Sequence, residues 1–400
     1  MEQYGFSVKA NVKYAQAEAE LDEGIENIVF TINNGSLVPT MTMTYMVNSK
    51  LVNMLVLPYT LELVITERNA QNEDRTVVRA TFMSITNNAS PVLREKDNTN
   101  RLDRIRVTHK FVLKDAYNLA NTVVGGVYNN QNLTQIIKSL WGDTEHGRLQ
   151  IKMGTLENKE TYEQIWVPNV KFFRAVQYLS QTFGFYSMMP IMYADWENFY
   201  LMSVNEVKGE PIKLYLRDSG LENKKPYSID KLEYCVGQMP AVSSNFNYLA
   251  ANFPKKIDVL KHDTDKLYSV ENINVVNELR SMQHVKDTDV YDTFLEKDVK
   301  PNNYIIAHNS NLLAFKESLS GILTHTVQPT NVDIRDPFRF NHWYIGRKVQ
   351  IDPKHVTYAG MQTSFYISGL TFNIKHGNEK RWVGAISAML QTASTRNIKA

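Results

Sequence analysis

Hydrophobic and polar positions alternate with a period of two along the first part of the chain, up to about Leu113. Leu61, Leu63 and Ile65 alternate with Glu62, Val64 and Thr66, and Val78, Ala80 and Phe82 alternate with Arg79, Thr81 and Met83. Successive strand residues point to opposite faces, so each run predicts a strand with one covered face. The clearest run is Arg104 to Leu113. Ile105, Val107, His109, Phe111 and Leu113 share one face, and Arg104, Arg106, Thr108 and Lys110 share the other. Antiparallel strands with one solvated side read this way. The polar segment from Asn87 to Asp103, with Pro91, Asn98 and Asn100, reads as a long loop of the kind that serves function or assembly.

The period then becomes helical. Leu133, Ile136, Ile137, Leu140 and Trp141 fall on one side of a helix that Asn132 caps and Gly142 closes. A second helix, Lys171 to Thr182, follows Pro168-Asn169, because Phe172, Val176, Leu179 and Phe183 fall in one narrow arc with Phe173 beside them. Gly184 is placed to stop it. Phe185 to Tyr193 and Phe199 to Val204 read as strands joined at Asp195-Trp196-Glu197-Asn198. This makes residues 116–224 an α/β domain distinct from what precedes it.

Strand signal returns near Tyr227 and fades into a polar stretch from Lys255 to Asn303. A short helix from Asn311 to Leu319 and a strand from Ile322 to Val327 follow. After them come strands at Val349 to Ile351, Thr363 to Ile374 and Trp382 to Leu390, with a turn at His376-Gly377-Asn378-Glu379, and then a polar tail. The strand cadence around Leu63 to Thr66, Thr76 to Ile85 and Arg104 to Leu113 is repeated at Val349 to Asp352, Thr363 to Ile374 and Arg381 to Leu390. Two related β domains separated by insertions would produce that repetition.

Composition changes the picture mainly by exclusion. A chain of 400 residues exceeds the size at which one core stops growing, which implies about two to four domains. Its 44 basic and 42 acidic residues nearly cancel, so it lacks the field of a dedicated nucleic-acid binder. The single cysteine, Cys235, sits between Tyr234 and Val236 and reads as a buried thiol, with neither a disulfide nor a cysteine metal site open to it. Met1 to Tyr14 lacks the basic and apolar regions of a signal peptide, and no apolar run approaches the length that spans a bilayer. The expectation is a protein made in a reducing cytoplasm, without membrane insertion.

No chemistry rises above the background. Gly125-Gly126 is an isolated pair rather than a phosphate-binding loop, and neither a paired-histidine zinc helix nor a nucleophile elbow is present. His262-Asp263-Thr264-Asp265 and Asp287-Thr288-Asp289 have the spacing of surface turns and lack the further ligands a metal needs. Glu145-His146-Gly147 reads as a solvated turn, and the aromatic group Phe183, Phe185, Tyr186, Tyr193, Trp196, Phe199 and Tyr200 as core. These readings leave no catalytic residue, cofactor or metal, and no enzyme.

The segment Trp166-Val167-Pro168-Asn169-Val170, the helix after it and the aromatic strand pair resemble the inserted domain of phage tail hub proteins. The C-terminal order, including Tyr366-Ile367-Ser368-Gly369-Leu370-Thr371-Phe372 and the hairpin from Gly377 to Trp382, is similar to the same family. That family also provides the hub part of type VI secretion spike proteins. The resemblance implies a β-rich α+β fold with two related antiparallel β-barrel-like tube domains and an inserted α/β domain. The first tube domain would be 1–115, the insertion 116–224, and the second tube domain 225–254 with 305–393, leaving a polar insertion at 255–304 and a tail at 394–400.

It further implies a homotrimer whose six tube domains form a pseudo-hexameric ring in the tail baseplate of a virion. Such a ring adapts a sixfold tail tube protein to a threefold central spike, contacts other baseplate proteins and lets DNA pass. Because no glycine-valine repeat follows the last hub-like strand, a spike is expected to be a separate protein. Arg104, Arg106 and Lys110 are the expected interface or lumen residues. Two alternatives remain: a hub-like distal tail protein of a noncontractile phage, and a tail-associated cell-wall hydrolase.

Overall fold

The computed structural model describes residues 5–14, 17–21, 24–48, 58–68, 74–88, 104–186, 190–216, 228–236, 256–261, 266–271, 317, 330–335, 338–351, 364–377 and 382–391. The fold is β-rich α+β. The period of two seen in the sequence forms strands β1 (Gly5–Tyr14), β2 (Ala17–Glu20), β3 (Ile25–Asn33), β4 (Thr40–Asn48), β5 (Thr60–Arg68), β6 (Asp74–Asn88) and β7 (Arg104–Leu113). Leu61, Leu63 and Ile65 are fully buried while their neighbours are half-buried, as alternation requires. The expected loop from Asn87 lies outside the described residues beyond Asn88, where β6 ends.

Helix α1 (Lys114–Asn121) follows β7 without a break and leads into β8 (Val123–Asn132), helix α2 (Leu133–Gly142), β9 (Gln150–Met153) and β10 (Thr161–Lys171). Helix α3 (Phe172–Phe183), β11 (Pro190–Ala194) and β12 (Asn198–Ser203) complete this region. The two expected helices are α2 and α3. In α2 the Asn132 side chain accepts from Gln135 N while Gln135 Oε1 accepts from Asn132 N, a reciprocal cap. In α3 Phe172, Val176 and Leu179 are fully buried, and Gly184 ends the helix at φ 72, where a side chain would be strained. Strands β8 and β10 form an antiparallel ribbon, and β12 pairs with β11 antiparallel and with β9 parallel.

The remaining strands are β13 (Ile212–Leu216), β14 (Glu233–Val236), β15 (Lys256–Lys261), β16 (Lys266–Glu271), β17 (Thr330–Arg335), β18 (Lys348–Ile351), β19 (Ser364–His376) and β20 (Trp382–Gln391). The stretch read as fading into polar sequence contains the β15–β16 hairpin. The helix expected at Asn311 is described only at Glu317, and the strand expected at Ile322 lies outside the described residues. Cys235 is half-buried rather than a core thiol, because alternation along β14 turns Tyr234 and Val236 inward and leaves the thiol on the other face.

Long-range pairing joins strands from both ends of the chain into one 13-stranded sheet. Following the ladders, β19–β3–β4–β7–β6–β5–β1–β20 returns to β19, a circuit of strands around a core that includes Phe30, Phe82, Phe111 and Phe372. Among the described residues its seam between β1 and β20 is a single rung, Phe6 opposite Trp382, reinforced by Phe6 packing 5.3 Å from Phe338 and 5.5 Å from Phe340 between ring centroids. A second run, β14–β13–β18–β19–β20–β17, shares the β19–β20 pair with the first. Three-stranded antiparallel meanders occur twice, as β5–β6–β7 and as β18–β19–β20. These are the two stretches whose cadence matches in the sequence.

Candidate assembly surface

Strand β7 carries the residues expected at an interface or lumen. It sits between β4 and β6, so its two faces are fixed by both neighbours. The outward face carries Arg106 and Lys110, both exposed, with Thr108 between them; the side chain of Arg104 lies outside the described residues. Arg106 Nε is 2.7 Å from Glu26 Oε2 on β3, but its side chain is 68% exposed, so solvent screening leaves this pair a small contribution. Thr108 and Thr44 share a hydroxyl hydrogen bond of 3.0 Å across the β4–β7 ladder.

The inward face of the same strand holds a polar cluster that sequence alternation alone could not identify. Tyr45 and Tyr59 hydroxyls lie 3.0 Å apart, and both reach Nδ1 of His109, which is 3% exposed. Ser84 Oγ accepts from Tyr59 N at 2.9 Å. Burial lowers the His109 pKa and, for the same reason, pushes the Tyr45 hydroxyl up to about 12, so the cluster is neutral near pH 7. A buried, hydrogen-bonded network of this kind fixes strand register inside the circuit.

Several other acidic and histidine side chains make packing or hydrogen-bonding contacts. Glu317 is 5% exposed and accepts from Ser180 Oγ, Phe185 N and Tyr186 N, which ties this residue to the end of α3. Burial raises its pKa to about 7 against the lowering effect of those donors. Glu67 on β5, 7% exposed, is likewise raised to about 7 by burial, although Arg339 and Arg75 lower it. His146 stacks on Trp141 at 4.6 Å, so the Glu145-His146-Gly147 turn is packed on its histidine side rather than fully solvated. Asp195 accepts from Glu197 N at 2.8 Å and Asn198 N at 2.7 Å and shapes the β11–β12 turn. Among the described residues no group of three or more His, Cys, Asp or Glu side chains is arranged to hold a metal. His262-Asp263-Thr264-Asp265 and Asp287-Thr288-Asp289 lie outside the described residues.

The aromatic group is core, as its alternation predicts. Phe185, Tyr186, Tyr193 and Phe199 are buried, and Phe183, Trp196 and Tyr200 pack against them half-buried. Trp196, in the β11–β12 turn, packs on Phe30 of β3 with 5.5 Å between ring centroids, joining that hairpin to the circuit. A second surface escaped sequence reading. Trp166 and Val127 face each other across the β8–β10 ribbon and are 64% and 55% exposed, and Val123, opposite Lys171 at the start of β8, is 62% exposed. An amphipathic ribbon has the same period on either face, so the sequence did not show which side is open.

The fold is shared with phage tail proteins. A 43 kDa tail protein of prophage MuSo2 from Shewanella oneidensis matches with a TM-score of 0.52 and 10% identity, covering 95% of this chain and 97% of that one. A tail protein from Neisseria meningitidis MC58 gives a TM-score of 0.54 at 10% identity, with 96% and 97% covered. The Francisella PdpA-VgrG complex, half-lidded, gives a TM-score of 0.51 at 14% identity over 100% of this chain and 59% of the other. The resemblance to tail hub proteins therefore holds at the level of the fold. No helix among the described residues is long and apolar enough to cross a membrane. No curated protein matches the sequence. A family model covers residues 12–214, half of the chain, and by that match the protein belongs to the family of the bacteriophage PBS1 gene 109 protein.

Proposed function

We propose that this protein is a structural, non-enzymatic hub of a phage-type tail baseplate. Three copies form a closed ring that joins a sixfold tail tube protein to a threefold central spike, contacts other baseplate proteins and lets DNA through. The observation that carries this reading is the match in fold to phage tail proteins over nearly the whole of both chains. The strand runs agree with it: two runs share the β19–β20 pair, and each contains a three-stranded meander, β5–β6–β7 in one and β18–β19–β20 in the other. A chain with two such units offers six to a trimer, so one face can meet sixfold symmetry and the other threefold. On this reading residues 1–115 belong mainly to the first unit, 116–224 to the insertion, and 225–254 with 305–393 to the second, with 255–304 a further insertion.

The strand β7 cations supply the test of assembly. If Arg104 and Arg106 meet carboxylates of a neighbouring copy, changing both to Glu weakens the oligomer, more strongly at low salt, where charges interact over longer distances. Molar mass by light scattering at low and high salt reads this directly. A trimer that is unchanged at both removes β7 from the interface. A protein that is monomeric at micromolar concentration before any substitution contradicts the hub reading.

A further inference from the structure

The outward side chains of the eight-strand circuit differ from one wall to the other. On β1, β5 and β6 they include Lys9, Lys13, Glu62 and Arg79, the long charged groups that keep an outer surface soluble. Across β20, β19, β3 and β4 the ladders instead align short ones. One row runs Ser387, Thr371, Thr31 and Thr40, and the next runs Ala385, Asn373, Val29 and Thr42 before reaching Lys110 on β7. Apart from Thr40 and Asn373, which are exposed, the members of these rows on the four strands are half-buried, and none of them has a long side chain.

This wall suits neither of the usual surface roles. Interface centres carry large apolar anchors, yet none of the exposed large hydrophobic side chains among the described residues lies on it; those are Ile85 on β6, Tyr117 on α1, Val123 and Val127 on β8 and Trp166 on β10. Its charges are also few. Arg106 pairs with Glu26, leaving Lys110 and Lys375 as cations without an ion-pair partner among the described residues.

We propose that the β20–β19–β3–β4–β7 wall lines the water-filled bore of the closed assembly, an inference that rests on the hub reading. Hydroxyl and amide groups hold a hydration layer, and short side chains leave the bore wide. Affinity for a nucleic-acid backbone grows with the number of phosphates neutralised. So sparse a set of cations among the described residues offsets repulsion of a duplex without holding it tightly, which is the balance a conduit for a hydrated polyanion requires.

Thiol accessibility tests the assignment in the full chain. With Cys235→Ser removing the native thiol, Thr42→Cys reports on the wall and Lys9→Cys on the opposite side of the same circuit. Each variant is assembled, its molar mass confirmed, and then treated with a small thiol reagent or with a maleimide carrying a polyethylene-glycol chain of several kilodaltons. In the oligomer, Thr42→Cys should accept the small reagent readily and the bulky one slower than Lys9→Cys by about an order of magnitude, since reaction follows access. Equal labelling of the two sites by the bulky reagent would make the wall an outer surface, and no labelling of Thr42→Cys by either would make it a protein contact. Both results overturn the bore assignment while the hub reading stands. A chain that never assembles contradicts the hub reading and the bore together.

Discussion

Glu317 is a carboxyl group whose surroundings offer donors but little water. Ser180 Oγ, Phe185 N and Tyr186 N all reach it, yet burial outweighs them and raises its pKa from the ordinary carboxylate value to about 7, with Glu157 adding repulsion. A folded-state pKa above the unfolded one means that folding takes up a proton. The contribution of this group to stability is therefore complete below about pH 4.5 and is lost as pH rises through about 7. At most the loss is about 3 kcal/mol, from a shift of this size. Glu317→Gln keeps an acceptor without the charge, so thermal unfolding should show the variant more stable than the parent at pH 8 and little changed at pH 5. A variant less stable at pH 8 would show that the backbone donors hold the ionised form. None of this was legible in the sequence, since the partners of Glu317 lie 131 to 137 residues away.

Elements with a strong local period were the legible ones. Helix α3 emerged because Phe172, Val176 and Leu179 repeat at helical spacing, and all three are fully buried. Phe172 also packs edge-on to Trp141 at 5.7 Å and to Phe199 at 5.6 Å, so it joins α3 to α2 and β12. Replacing it by Ala should cost about 3–5 kcal/mol through lost burial and the cavity left behind. Denaturant unfolding checks this, and an unchanged midpoint would mean that α2, α3 and β12 do not pack through this ring. What sequence reading missed has weaker local signals. Helix α1 has eight residues and buries only Ala116 and Leu119, too few to set a period. Strand β8 has no strong period because Gly125-Gly126 and Asn129-Asn130 interrupt it, yet its ladder to β10 supplies the constraint that those residues lack. There Gly125 is needed for space, since a Cβ would strike Pro168 O and Asn169 Oδ1. The β15–β16 hairpin alternates too, but its flanking lysines made it look like solvated sequence.

At the scale of the whole molecule, ring closure depends on pairings that no local pattern encodes. The ladders β3–β19 and β1–β20 join segments from opposite ends of the chain, so period two gave the strands and their faces but not the circuit they form. The repeated cadence was a better guide, because it matched two meanders of the same strand order. Closure also removes sheet edges that would otherwise invite uncontrolled pairing. The central claim is that three copies complete a ring suited to a tail tube. Averaged electron-microscope images of the purified, assembled protein viewed down its axis test that claim most directly. Threefold symmetry with six similar lobes around an open bore is the predicted result. Single chains, twofold dimers or a ring with any other rotational order would contradict it.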